Sequence, residues 1–287
     1  MLAALLSPTS LGCDQPDASD DQASDEVGET DTGETDTGET GEPLDSDQDG
    51  LSDAQEAELG TDPLVKDTDH DNYWDSWEVI EGTDPLDVES RIYTGYWPYN
   101  PDKDAREQGS WASVGKAVGT PFPRESFLDQ HGDMVDLYDF TNFTINADNT
   151  PAYFIFDLSA QWCGPCHTAA AWISGIDNSD TASLQTSYPH VREKVHGLRI
   201  WWITFITQNS AGNAPTLGDS ESWYSVHHDN SIPILVDADQ DVLDNFGLGF
   251  FPHFFLLDPQ MRIEYFPTEA QAQANAYSAL GLVEALL

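Results

Sequence analysis

The chain has 287 residues, room for one ordinary domain with extensions or for two small domains, and a formal net charge of −42. No basic face is visible, which excludes nucleic acid as a partner, because phosphate binding needs clustered Lys and Arg. The charge is unevenly placed: residues 14–90 hold 28 Asp and Glu against the single base Lys66, whereas the chain from Arg91 onward holds 24 acids and 9 bases. The amino-terminal third is thus a polyanion joined to a mildly acidic globular part, and divalent cations are its natural partner. Three cysteines, Cys13, Cys163 and Cys166, are too few for a structural disulfide framework.

In chain order, residues 1–12 form a short apolar run that ends at Cys13. It is far below the roughly 20 residues needed to span a bilayer. The run resembles the end of a bacterial lipoprotein signal peptide with Cys13 as the lipidated residue, although Ser10 and Leu11 depart from the usual pattern and no base precedes them. The resemblance implies a bacterial-type lipoprotein outside the cytoplasm, in the periplasm or cell envelope, meeting the membrane only through a lipid anchor. Residues 14–43 follow, with the low-complexity run Gly-Glu-Thr-Asp-Thr-Gly-Glu-Thr-Asp-Thr-Gly-Glu-Thr at 28–40. Such a segment buries nothing and repels itself, so it is expected to be a disordered tether with a root-mean-square reach of roughly 30 Å.

Residues 45–64 and 67–86 are an internal repeat: Asp45-Ser-Asp47-Gln-Asp49-Gly50-Leu51-Ser-Asp53-Ala-Gln-Glu56 aligns with Asp67-Thr-Asp69-His-Asp71-Asn72-Tyr73-Trp-Asp75-Ser-Trp-Glu78, and Gly-Thr-Asp-Pro-Leu recurs at 60 and 82. Calcium takes oxygens from loop positions 1, 3, 5, 7 (a backbone carbonyl), 9 and 12. Those positions are Asp45, Asp47, Asp49, Leu51, Asp53 and Glu56, then Asp67, Asp69, Asp71, Tyr73, Asp75 and Glu78. Position 6 needs a left-handed backbone, which Gly50 and Asn72 can supply. The pattern resembles thrombospondin type 3 repeats rather than a helix–loop–helix hand, since proline-containing sequence precedes each loop. That resemblance implies structural calcium over 44–90 and makes Asp62 and Asp84 secondary ligands. Residues 91–109 read as a connector.

Residues 151–166 run from a strand-like apolar stretch through Asp157 into Trp162-Cys163-Gly164-Pro165-Cys166, followed by an Ala-rich helical stretch over 168–173. A cysteine at a helix N-terminus faces unpaired amides and a favourable dipole, so Cys163 is the expected nucleophilic thiolate, and Cys166, one turn on, the resolving thiol. Pro165 in the first turn loses no hydrogen bond. Trp-Cys-Gly-Pro-Cys resembles the thioredoxin active-site signature. The resemblance covers about residues 110–287 and implies an α/β thioredoxin fold, a central mixed sheet flanked by helices, with the calcium loops as a small amino-terminal module. It further implies that Asp157 is a buried acid moving a proton to and from Cys166, and that Pro252 is a cis-proline opposite the cysteines. Leu198–Thr207 and Ile232–Val236 read as strands and Thr268–Leu287 as a closing helix; Val114–Phe140 resembles the hairpin of TlpA-like extracytoplasmic thioredoxins. The chain departs from the family in lacking a helix-kinking proline within Ala169–Trp172, in the bulky Phe251 before Pro252, and in a long connection at 174–197.

These features imply a protein-disulfide reductase that acts on disulfide-containing proteins, takes electrons from a membrane donor and needs no organic cofactor. A Gly-Pro dipeptide goes with reducing thioredoxins, near −270 mV against about −120 mV for the oxidant DsbA. Other readings carry less. Cys163-Gly-Pro-Cys166-His167 also spells a haem-attachment motif, but the strand, Asp157 and Pro252 point elsewhere. His227 and His228 read as solvent-exposed loop histidines, not a metal site, and the nine tryptophans as packing, not a carbohydrate platform. The alternative from another class is a calcium-dependent surface or adhesion lipoprotein whose thioredoxin-like domain is a binding scaffold.

Overall fold

Alternation builds the centre of the molecule. In the run Tyr153–Ala160 (β3) the even positions Phe154, Phe156 and Leu158 face one core, whereas Ile155, Asp157 and Ser159 face the other side of the sheet. The computed structural model describes residues 43–141 and 152–285; Cys13 and residues 14–42 lie outside them.

Two short helices, Asp53–Leu59 (α1) and Asp75–Glu81 (α2), each leave an acidic loop and stop at a left-handed glycine, Gly60 or Gly82. The hairpin Ser126–Leu128 (β1) and Met134–Asp136 (β2) follows, then β3 and the helix Gly164–Ile173 (α3). The long connection over 174–197 contains two short helices, Ala182–Ser187 (α4) and Val191–His196 (α5). Next come Ile200–Gln208 (β4), Leu217–Val226 (α6), Ile234–Val236 (β5), Asp241–Phe246 (α7), His253–Leu257 (β6) and Ile263–Tyr265 (β7). The expected closing helix is instead two, Glu269–Ala274 (α8) and Ser278–Ala285 (α9). Asn275 adopts an extended backbone between them, and its side-chain amide donates to the Tyr188 hydroxyl at 3.1 Å.

The strands form one five-stranded mixed sheet in the order β5-β4-β3-β6-β7. β3 runs parallel to β4 and antiparallel to β6, β4 parallel to β5, and β6 antiparallel to β7. Gln130, in the β1–β2 turn, donates to the Ile232 carbonyl and accepts from the Ile234 amide, which ties the hairpin to the chain entering edge strand β5. One face of the sheet packs on α3, α4, α5, α6 and α9 through Cys166, Trp172, Leu184, Val191, Trp223 and Leu280.

The opposite core draws in residues read from sequence as a connector. Tyr93, Trp97 and Tyr99 are buried with Phe122, Phe140, Phe156 and Phe205, and Tyr73 of the second acidic loop joins them. The Tyr73 hydroxyl donates to the Trp97 carbonyl at 2.6 Å, and the Trp97 indole donates to Asp129 at 2.7 Å in the β1–β2 turn. The acidic repeats are therefore packed into the unit that holds the cysteines. Among the described residues no helix is long and apolar enough to cross a membrane.

Candidate redox site and acidic loops

Strand β3 delivers the chain into α3 at Cys163, which is the N-cap: its sulfur accepts the Cys166 amide at 3.2 Å. The two sulfurs are bonded to each other, with Cα atoms 5.3 Å apart. Cys163 and Cys166 are buried, at 2% and 0% exposure, while Trp162, Gly164 and Pro165 are exposed. An S–S bond spanning the first turn of a helix leaves open amides beside whichever sulfur becomes an anion.

Asp157 lies wholly buried on the face of β3 that meets α3. Its carboxylate accepts from Ser159 at 2.9 Å and Thr204 at 3.3 Å, and the Trp202 indole donates to Thr204 in turn. Burial dominates these bonds and raises the Asp157 pKa from 3.8 to about 7, so the group can both hold and release a proton near neutral pH. Tyr277 follows the α8–α9 break. Its hydroxyl donates to the Pro165 carbonyl at 3.2 Å, its ring lies 5.6 Å from Phe254, and burial pushes its pKa up to about 12.

The Phe251–Pro252 bond is cis and immediately precedes β6. Phe251 packs edge-on against Trp162 with ring centres 5.6 Å apart, and the Trp162 indole donates to Gln208 at 3.0 Å. These residues line a cleft of about 440 Å³ with Leu243, Leu248 and Phe250, in which Asp244 is the one charged lining residue. The bulky residue before Pro252 thus forms a wall of that cleft. His253, next in the chain, is buried among Phe250, Phe255 and Phe266, with its pKa pushed down to about 4 by burial and by Lys116.

One histidine pair corrects the sequence expectation. His227 is buried, not exposed in a loop; it is the C-cap of α6, and its Nε2 lies 2.7 Å from Nδ1 of His167, the residue after Cys166. Only His228 of that dipeptide is exposed. Sixty residues separate the partners, and the available sequence signal was Trp223 one turn before His227, whose buried face His227 shares.

The two acidic loops have one geometry. Gly50 and Asn72 take φ of +113° and +82°, as position 6 requires. Asp45, Asp47 and Asp49 bring carboxylate oxygens within 4.8 Å of one another, and Asp67, Asp69 and Asp71 do the same. Glu56 and Glu78 are fully buried; Asp47 Oδ2, both Glu56 oxygens, Asp69 Oδ2, Asp71 Oδ2 and Glu78 Oε2 have no hydrogen-bond partner. Buried carboxylates facing each other without donors are strongly disfavoured unless a cation completes them. Burial, with the neighbouring acids, raises Glu56 to about 7, Glu78 to about 8 and Asp71 to about 6. The donor set, all oxygen, fits a hard divalent cation. The Leu51 and Tyr73 amides are held by Asp49 and Asp71, which fixes the chain where position 7 offers its carbonyl.

At position 9, Asp53 accepts from the Ser46 amide and hydroxyl, and Asp75 from the same groups of Thr68, so both brace the loop entrance. Asp62 and Asp84 are exposed and accept the Leu64 and Leu86 amides, outside the two carboxylate clusters. The repeats also grip each other: Ser76 of α2 donates its amide to the Asp49 carboxylate and its hydroxyl to the Asp49 carbonyl.

Residues 45–66 and 67–88 each match the family model described as the bacterial TSP3 repeat. No curated protein matches the chain. Among solved structures, the chain is similar to a candidate thiol-disulfide oxidoreductase from Bacteroides vulgatus, with 17% identity, 61% of this chain and 100% of that one covered, and a TM-score of 0.38. It is similar to a candidate thiol:disulfide interchange protein DsbE from Chlorobium tepidum, with 17% identity, 59% and 99% covered, and a TM-score of 0.37. It is also similar to the thioredoxin domain of another Bacteroides vulgatus thiol-disulfide oxidoreductase, with 20% identity, 57% and 99% covered, and a TM-score of 0.33. Residues 45–88 thus carry tandem TSP3 repeats, and the mixed sheet with its Cys-x-x-Cys helix and cis-proline has thioredoxin-like architecture.

Proposed function

We propose that this chain is a protein-disulfide reductase working outside the cytoplasm, held to a membrane by lipid on Cys13 and stabilised by calcium in its two acidic loops. The carrying observation is the cysteine pair at the start of α3 on the same side of the sheet as a buried acid with pKa near 7, next to the cis Phe251–Pro252 turn. In this reading Cys163 attacks a substrate disulfide, Cys166 gives its proton to Asp157 and displaces the substrate, and a membrane donor restores the dithiol. Trp162, Gly164, Pro165 and Pro252 shape the surface that meets the substrate. A scaffold role needs neither the bonded cysteines nor the buried carboxyl. Calcium is supported by the orphaned, buried Glu56 and Glu78 oxygens, with Asp45, Asp47, Asp49, Asp67, Asp69, Asp71 and the Leu51 and Tyr73 carbonyls as the other ligands. The test is reduction of insulin disulfides by the full chain and by Cys163→Ser. Loss of turnover in the variant is expected; equal rates would remove the enzyme reading.

A further inference from the structure

Helix α3 reads Gly-Pro-Cys-His-Thr-Ala-Ala-Ala-Trp-Ile, so His167 is the only residue in it able to become cationic. Its amide donates to the Cys163 carbonyl at 3.1 Å, which sets it one turn on from Cys163 along the same face. The ring is held on three sides. Nε2 lies 2.9 Å from the Gln161 carbonyl, two residues before Cys163; a carbonyl only accepts, so Nε2 carries a hydrogen. Nδ1 meets His227 Nε2 at 2.7 Å, and the ring stacks on Trp223 at 4.4 Å. Gln161 is itself fixed by donating its side-chain amide to the Asp219 carbonyl.

With Nε2 protonated, Nδ1 has two states. In neutral His167 it accepts from His227 Nε2–H; in cationic His167 it donates to a bare Nε2. Burial, with His167 beside it, pushes the His227 pKa down to about 4, so His227 stays neutral and its Nε2 is available as the acceptor of a cationic His167. The other ionisable groups of α6 and the loop after it are engaged or exposed. Asp219 is tied to Thr216, Glu221 is exposed, His228 stacks on Tyr224, and Asp229 pairs with His196.

We propose that His167 is a positioning residue for Cys163: its imidazolium, held by the Gln161 carbonyl and His227 Nε2, stabilises the thiolate one helical turn away. The part of the chain from Arg91 onward holds 24 acids against 9 bases, so that thiolate otherwise forms within a net negative domain. The proposal rests on the redox reading above. The reduced protein begins with one thiolate, Cys163, and one thiol, Cys166. Cys163 bonds to one substrate sulfur as the substrate S–S bond breaks and a substrate thiolate leaves. Cys166 passes its proton to Asp157 and attacks the Cys163 sulfur, releasing the second substrate thiolate, which the proton then neutralises. Two electrons move from the protein dithiol to the substrate disulfide, and an external dithiol donor restores the pair.

The experiment uses the full chain reduced with dithiothreitol and measures alkylation of Cys163 by iodoacetamide from pH 4 to 10. His167→Gln is expected to raise the alkylation midpoint by about one pH unit, about tenfold less thiolate below it. Its redox equilibrium should shift tenfold toward the disulfide, about 30 mV more reducing. His167→Lys restores charge without the imidazole and should bring the midpoint back, which a merely structural role would not. His227→Phe removes the acceptor and should raise the midpoint in a chain that keeps His167. Superposed profiles for wild type, His167→Gln and His227→Phe would overturn the proposal while leaving insulin reduction intact. A wild-type chain with no reactive thiol would instead bring down the redox reading on which it stands.

Discussion

Asp157→Asn should make the protein more stable, and increasingly so as pH rises. In the folded chain the carboxyl keeps its proton to about pH 7, whereas in the unfolded chain it releases it near 3.8. Between those values the folded state binds one more proton than the unfolded state, so wild-type stability falls with rising pH across this window and levels off above it. A span of about three pH units corresponds to about 4 kcal/mol. Asparagine is neutral, nearly the same size, and can still accept from Ser159 or Thr204. The variant should therefore exceed wild type by about 1 kcal/mol at pH 4.5 and by about 4 kcal/mol at pH 8. Urea unfolding of the disulfide-bonded proteins, with calcium saturating in both, reads this as a midpoint shift at unchanged slope. Resolution through Cys166 should slow in the same variant, since its proton acceptor is gone. A difference that did not grow between pH 4.5 and 8, or an asparagine variant weaker at pH 8, would refute the reasoning.

Calcium at a thousandfold excess over its dissociation constant should stabilise the chain by about 4 kcal/mol per site. Because Tyr73 and Trp97 join the second loop to the sheet core, one melting transition should move, and a redox domain melting at a calcium-independent temperature would contradict this. Glu56→Gln and Glu78→Gln should weaken calcium binding in calorimetry, and wild-type affinity should rise from pH 6 to 8 as these two carboxyls ionise. Tyr73→Phe loses the hydroxyl bond to the Trp97 carbonyl and should cost about 1 kcal/mol in denaturant unfolding. Cys166→Ser should accumulate a mixed disulfide through Cys163 with a substrate protein, visible on a non-reducing gel.

The local motifs were legible because their chemistry is fixed by spacing. Trp162-Cys163-Gly164-Pro165-Cys166 placed a helix N-terminus at the cysteines, and the carboxylates at 45, 47, 49 and 67, 69, 71 converge as their period requires. The sheet followed from the apolar runs that became β3 and β4. Tertiary packing was not legible. Tyr93, Trp97 and Tyr99 lie in a stretch without helical or strand periodicity, so nothing local marked them as core, and their polar ends donate to Asp139, Asp129 and Glu81, residues distant in the sequence. His227 sits in a polar stretch beside an exposed histidine, and its burial depends on His167, sixty residues earlier. The break of the closing helix at Asn275 accompanies bonds from Asn275 to Tyr188 and from Tyr277 to Pro165, made on the helical face of the sheet between residues far apart in the sequence.

The central claim, a reversible and reducing Cys163–Cys166 couple, is tested most directly by equilibrating the full chain in dithiothreitol buffers and quenching with acid. The account predicts one two-electron transition below about −230 mV, near the thioredoxin value of about −270 mV. A couple above about −180 mV would mark an oxidant or isomerase, and a pair that never equilibrates with thiols would contradict the account altogether.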